Sequence, residues 1–309
     1  MPSRRLCNVE KRTDVFQPAA MTALSVGERD NGGLEQMPLR LRQICLVAEN
    51  LAATEDVFRK VFGLEVCHRD LAVGKWGLAN FLNRVGTSFL EVVSPVSNQN
   101  PGATAAGRYL KRRSGDGGYM VILQASEDEH AALCSRLDTL NVRVAADLDY
   151  GDYRGVQLHP KDCGGAILSL DRNDLDKENP TADYQPWHPA GPNWKLAPQS
   201  ALCDAFLGVE LQSDAPHELA ARWARILNRR LEEPAHAPPF IELDNARIRF
   251  SEARDGRGEG LGGIDLASKN PEQLIENAKQ HGLPVTHDEI SLAGVRFKVS
   301  RQEGAPRGS

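Results

Sequence analysis

The sequence predicts an α+β protein made of four copies of one βαβββ unit, two copies to each of two tandem domains. Three observations predict it. An apolar strand followed by an amphipathic helix and then further strands returns four times along the chain. Helix-capping residues stand where each of those helices should start or stop. A proline-rich stretch divides the four copies into two pairs.

In the first copy LRLRQICLVA reads as a strand, ATEDVFRKVFGLEV as a helix and its exit, and WGLANFLNRV and TSFLEVVSP as strands. The second runs GGYMVILQA, EDEHAALCSRLDTLNVRV, YRGVQLHP and GAILSLDR. The third is AFLGVELQS, PHELAARWARILNRRLE and FIELDNARIRFSE; the fourth is GLGGIDLAS, NPEQLIENAKQHGLPV and AGVRFKVS. Gly63 and Gly282 suit helix ends, because glycine adopts the left-handed conformation there without strain. Ser126 and Asn270 suit N-caps, and Pro216 and Pro271 suit a first turn, where no amide donor is needed.

These elements divide the chain into an irregular N-terminal tail (1–38), a first domain (39–173), a linker (174–202), a second domain (203–301) and a C-terminal tail (302–309). The linker holds five prolines, and Trp187 and Trp194 are expected to pin it to a domain surface. Residues 1–38 are polar and lack the apolar core of a secretory signal, and Met37 offers an alternative start.

With 41% hydrophobic and 26% charged residues the chain has the composition of a globular protein. A net charge of −5 gives no reason to expect nucleic acid as a partner. No apolar run approaches the roughly 20 residues of a membrane helix, so no membrane partner is expected. The six cysteines are scattered without a C-x-x-C pair, which fits a reducing, cytoplasmic setting better than a disulfide framework.

One residue breaks the apolar pattern. In the strand VGTSFLEVVSP, alternation places Glu91 on the same face as Phe89 and Val93. A carboxylate on such a face must be paired, hydrogen-bonded or bound to a metal.

Paired units of this kind resemble the vicinal oxygen chelate superfamily, which includes glyoxalase I, methylmalonyl-CoA epimerase, extradiol dioxygenases and bleomycin-resistance proteins. The opening strand and helix RQICLVAENLAATEDVFRKVFGLE, the strand FLEVVSP and the segment HPKDCGGAILSLD carry the resemblance. It covers about residues 40–172 well and 203–300 in pattern only. It implies cup-shaped sheets and a divalent metal (Fe, Mn, Ni or Zn) held by one residue from the first and one from the last strand of each unit. Carried over, those places are Gln43, Glu91, Tyr119 and Ser169 in the first domain, and Gly208, Arg249, Gly263 and Lys298 in the second.

Gln43 and Glu91 match glyoxalase usage, whereas neutral Tyr119 and the Ser169 hydroxyl are poor ligands. Without metal, Glu91 would accept hydrogen bonds from Gln43, Tyr119 and Ser169, and a Glu91–Tyr119 pair could serve as catalytic acid and base.

His159 opens the polar segment HPKDCGG and would reach substrate only if that turn folded over the cup; a turn-stabilising role with Lys161 and Asp162 is the plainer reading. Cys163 reads as structural, and His68 as a strand-end residue at the cup entrance. In the second domain one strand face carries Glu210, Gln212, Arg247, Arg249, Asp265, Arg296 and Lys298. That face reads as cross-strand ion pairs, or, through Arg249, Arg296 and Lys298, as an anion-binding or self-association surface that would make a homodimer.

Two functions are consistent with these residues. One is a glyoxalase-like lyase, isomerase or dioxygenase acting on a small oxygenated substrate in the first cup, with or without a metal. The other is a metal-free protein that binds or sequesters a small molecule, as the bleomycin-resistance relatives do.

Overall fold

The structure, a computed structural model, describes residues 37–96, 101–174, 183 and 185–301. The expected tails therefore lie outside the described residues almost entirely, as do Cys7 and parts of the linker.

The first unit comprises β1 (Leu39–Val47), α1 (Leu51–Phe62), β2 (Val66–His68), β3 (Leu78–Val85) and β4 (Ser88–Pro95). A helix not foreseen from sequence, α2 (Ala105–Arg113), leads to the second unit: β5 (Gly117–Ala125), α3 (Glu127–Ser135), β6 (Val144–Asp149), β7 (Tyr153–Leu158), α4 (Pro160–Cys163) and β8 (Ile167–Asn173). The third unit is β9 (Ala205–Ser213), α5 (Pro216–Leu227), β10 (Phe240–Glu242) and β11 (Arg247–Glu252). The fourth is β12 (Gly260–Ser268), α6 (Pro271–Gln280), β13 (Val285–Thr286), β14 (Glu289–Leu292) and β15 (Val295–Arg301).

The caps act as their residue types require. Ser126 and Asn270 accept from the amides of Glu129 and Gln273. Gly63 closes α1 at φ +62°, and Pro216 and Pro271 occupy first helical positions. The helix α3 is shorter than the sequence pattern suggested: it stops at Ser135, and tight turns carry the chain to β6.

Each unit pairs its first strand parallel to its last: β1 with β4, β5 with β8, β9 with β11, β12 with β15. The first strands of partner units then meet antiparallel, β1 with β5 and β9 with β12. The third unit differs from its siblings in making only two full strands after its helix, β10 and β11, with an isolated bridge between Glu232 and Phe240.

Both antiparallel seams carry two β-bulges. On β1 and β5, Leu41 opposes Leu123 but Gln43 opposes Ile122, and Cys45 opposes Met120 but Leu46 opposes Gly118. Arg42 and Tyr119 are the extra residues. On β9 and β12 the extra residues are Gly262 and Leu207. A bulge re-aims every side chain near it, and these four mark equivalent places in the four units.

The helices of the four units lie on one face of each sheet, and the two domains pack through those faces into a common core, whereas α2 packs Ala106, Tyr109 and Leu110 against the other face of the first sheet. Phe58 and Phe62 of α1 meet Phe297 of β15 at 5.8 and 5.0 Å between ring centres. The indole of Trp223 on α5 donates to the Cys163 carbonyl at 2.6 Å. Arg229, just past α5, pairs with Glu129 of α3 at 2.7 Å, both buried. The Leu261–Gly118 bridge joins the two sheets into one of 15 strands.

Where the domains touch, glycines permit close backbone approach. Gly294 has φ +69°, and a Cβ there would lie 1.9 Å from the Asp116 carbonyl oxygen. Gly294→Ala should therefore destabilise the protein by about 2 kcal/mol or more in urea unfolding. Gly282→Ala, with φ +71° but no neighbour within 4 Å, should cost only its backbone strain, about 1 kcal/mol.

Candidate functional site: a polar cluster under an indole-bearing strap

The face of the first domain's sheet opposite α1 and α3 is the concave one, and α2 packs on part of it. Cys45 and Val47 from β1, Phe89 and Val93 from β4, and Met120 and Ile122 from β5 line it in a second apolar cluster. Glu91 projects into that hollow, as alternation predicted, and is 8% exposed.

Both Glu91 oxygens are engaged. Gln43 Nε2 donates to Oε2 at 2.9 Å and Asn80 Nδ2 to Oε1 at 2.7 Å. The Gln43 carbonyl is taken as well, accepting the indole N–H of Trp187 at 2.7 Å. This chain of donors fixes the amide orientation: flipping Gln43 would set oxygen against carboxylate and N–H against N–H. Burial pushes the Glu91 carboxyl above its ordinary value, and bonds from Asn80, Cys45 and Gln43 pull it part of the way back.

A second buried carboxylate lies on β8. Asp171, 1% exposed, accepts from Ser169 Oγ at 2.5 Å and from the Tyr153 hydroxyl. Burial pushes it up to about 7 in spite of those two bonds. Sequence reading missed Asp171, although alternation from Ser169 puts it on the same face.

The hollow is closed by residues 185–197, the described end of the linker. Trp187 and Trp194 are each 1% exposed. Trp187 meets the Tyr153 ring edge-on at 5.6 Å, and Trp194 meets Phe89 at 5.1 Å. The bulge residue Arg42 is wholly buried between Phe89, Trp187 and Trp194, 5.3–5.7 Å from their centres. Its guanidinium donates to the carbonyls of Asp183 and Gln185 at 3.2 and 2.7 Å. Arg84 holds the far end, donating to the carbonyls of Lys195 and Ala197. The tryptophans thus do more than pin the linker to a surface: they fill the cup.

The other sequence candidates fall elsewhere. Tyr119 makes no hydrogen bond to Glu91; it is the β5 bulge residue, packed edge-on against Tyr109 at 5.3 Å. Burial pushes its hydroxyl well above the ordinary tyrosine value, which makes it a poor acid–base partner at neutral pH. His159 does not reach the cup: it caps the one-turn helix α4, its Nδ1 accepting from the Lys161 amide at 3.2 Å. Asp162 is held by Arg143 at 2.7 Å, and Cys163 is buried. The His68 ring lies against Gly191 of the strap.

In the second cup Arg249 donates to Asp265 and Glu210, and Arg296 donates to Glu210 and Gln212. Burial raises the Glu210 carboxyl, but Arg296, Arg249 and Arg254 outweigh it and hold the group below its usual value. Lys298 is exposed. Two of the three expected anion-binding cations are thus spent on cross-strand ion pairs.

Solved structures that match most of this chain include two of known source. A hypothetical protein from Staphylococcus aureus matches with a TM-score of 0.57 and 11% identity, over 85% of this chain and 100% of its own. The Mn(II)-bound glyoxalase from Novosphingobium aromaticivorans matches with a TM-score of 0.56 and 11% identity, over 84% of this chain and 81% of its own. The fold is that of the vicinal oxygen chelate proteins. No family model and no curated protein matches the sequence.

The bulges set which residues are equivalent in the four units. Counting from Arg42, Tyr119, Leu207 and Gly262, the next residues are Gln43, Met120, Gly208 and Gly263. The residue equivalent to Gln43 in the second unit, the third place of the expected set, is therefore Met120 rather than Tyr119, one residue along. The donors are then an amide, a thioether, one carboxylate and a hydroxyl that is already bonded to Asp171. Gln43 turns its N–H rather than its carbonyl towards Glu91, so the oxygen a hard cation needs points away. This set does not fit a divalent metal. Among the described residues no group of three or more His, Cys, Asp or Glu could hold one.

The raised Asp171 has a definite consequence for stability. Its folded value near 7 lies above the ordinary carboxyl value of 3.8. Between these the folded state binds more protons than the unfolded one, so this contribution is full below about pH 4 and is lost as pH rises through 7. Asp171→Asn should flatten that slope, measured as thermal midpoint against pH; an unchanged slope would place the titrating group elsewhere.

Proposed function

We propose that this protein binds a small molecule in the first cup without a metal, in the manner of a binding or sequestering vicinal oxygen chelate protein. One observation carries the reading: the carboxylate at the cup floor and the Gln43 amide beside it are engaged by other side chains. The two oxygens of Glu91 face amide N–H groups, and the Gln43 carbonyl faces an indole N–H. What the floor offers a ligand is a set of oriented hydrogen bonds among aromatic walls, which is how apolar pockets select small molecules. The Mn(II)-bound glyoxalase shares the fold at 11% identity, and that degree of similarity does not transfer its metal.

A second reading, a proton-transfer enzyme of the isomerase class, is favoured by a separate observation. Two buried carboxylates, Glu91 and Asp171, both lie above their usual values, Asp171 near neutrality. A carboxyl titrating near the working pH can act as acid or base. In this reading Glu91 and Asp171, rather than Glu91 and Tyr119, would exchange protons with the substrate.

Calorimetric titration of the full chain with Mn²⁺, Ni²⁺ and Zn²⁺, with metal analysis of protein purified without chelator, tests the main proposal. The expected result is no stoichiometric metal and no saturable heat that Glu91→Gln abolishes. One bound equivalent lost in Glu91→Ala would overturn it.

A further inference from the structure

The cup walls are complete without the strap: β1, β3, β4, β5 and β8 belong to the repeated units, whereas Trp187 enters from the segment that joins the domains. Its indole nevertheless sits as a bound molecule would. The ring is buried edge to face against Tyr153, the Arg42 guanidinium lies 5.4 Å from its centre, and its single N–H meets the Gln43 carbonyl at 2.7 Å. Gln43 presents that carbonyl because Glu91 holds its amide nitrogen from the other side.

Resting on the metal-free reading of this cup, we infer that Trp187 is an internal stand-in, and that the cup's ligand is a flat, electron-rich ring with an N–H or O–H donor on its edge. Three features select this class. A purely apolar ring would leave the buried Gln43 carbonyl unpaired, which is costly. A ligand presenting only acceptors would set oxygen against oxygen there. An electron-rich face suits the Arg42 cation, as the Trp187 face does. An indole, another N–H heterocycle or a phenol meets all three conditions. In the wild-type chain such a ligand must displace Trp187, so its apparent affinity is lowered by the fraction of chains in which the cup is closed.

The test uses the full chain with Trp187→Ala and two probes of similar size, indole and naphthalene, which differ in the donor. Trp187→Ala should bind one indole, at least tenfold more tightly than wild type does. It should prefer indole to naphthalene by about fivefold, the worth of one net hydrogen bond. Trp187→Ala/Gln43→Met should lose that preference. Equal indole binding by wild type and Trp187→Ala, or no preference over naphthalene, would overturn the inference. If Trp187→Ala does not fold, Trp187→Phe keeps a ring and drops the donor. Its unfolding midpoint should fall below that of wild type and recover in Trp187→Phe/Gln43→Met; equal midpoints for wild type and Trp187→Phe would overturn the inference. The same titrations with Mn²⁺ present separate the two proposals: metal binding defeats the proposed function, and loss of the indole preference with no metal bound defeats only this inference.

Discussion

The closed first cup depends on a buried positive charge. Arg42 is 0% exposed and forms no ion pair among the described residues, and its Nε has no partner. An isolated cation in a protein interior is costly. Here it is offset by three aromatic faces and two carbonyls of the linker. Those partners come from both sides of the hollow, Phe89 from the sheet and Trp187 and Trp194 from the strap. The guanidinium therefore cannot be satisfied unless the strap lies in place. Burial of the two indoles adds roughly 5 kcal/mol each, so closure is the resting state of the cup.

That closure explains why the carboxylate chemistry differs from one half of the molecule to the other. Beneath the strap, Glu91 and Asp171 are buried and rise above their usual values. In the second cup arginines surround Glu210 and hold it low. At the place of Glu91 in the first unit the later units carry Ser169, Arg249 and Lys298, so one architecture carries one carboxylate among four equivalent positions. The glycines that replace Gln43 in the second domain make room for the ion-pair network: a Cβ on Gly263 would stand 3.2 Å from Glu210 Cβ, and one on Gly208 3.1 Å from Asp265 Oδ2. Fold and chemistry are separate here, one scaffold carrying two different sets of side chains in its two cups.

How far the sequence could be read follows from the range of each signal. Period-two alternation is local, so it put Glu91 on the face of Phe89 and Val93 correctly, and applied once more from Ser169 it would have found Asp171. Counting along β5 set Tyr119 level with Gln43, whereas the strand register sets Met120 there. A bulge is a property of two paired strands, and β5 alone carries no mark of where β1 will force an extra residue. Asn80 was equally hidden, because an asparagine in an apolar strand declares its partner only when β3 lies beside β4.

By itself, then, the sequence determined the four-unit repeat, the helix caps and the strand face that carries Glu91, because each rests on periodicity or residue type within a few positions. Only the tertiary structure decided what occupies the first cup. Trp187 lies 144 residues from Gln43 along the chain, and nothing in a proline-rich linker says which surface it will cross. Its partner carbonyl, the aromatic box around Arg42 and the saturated Glu91 exist only when strands from two units and a passing segment are brought together. That is why the residue types suggested a metal site and the geometry supports a hydrogen-bonded one.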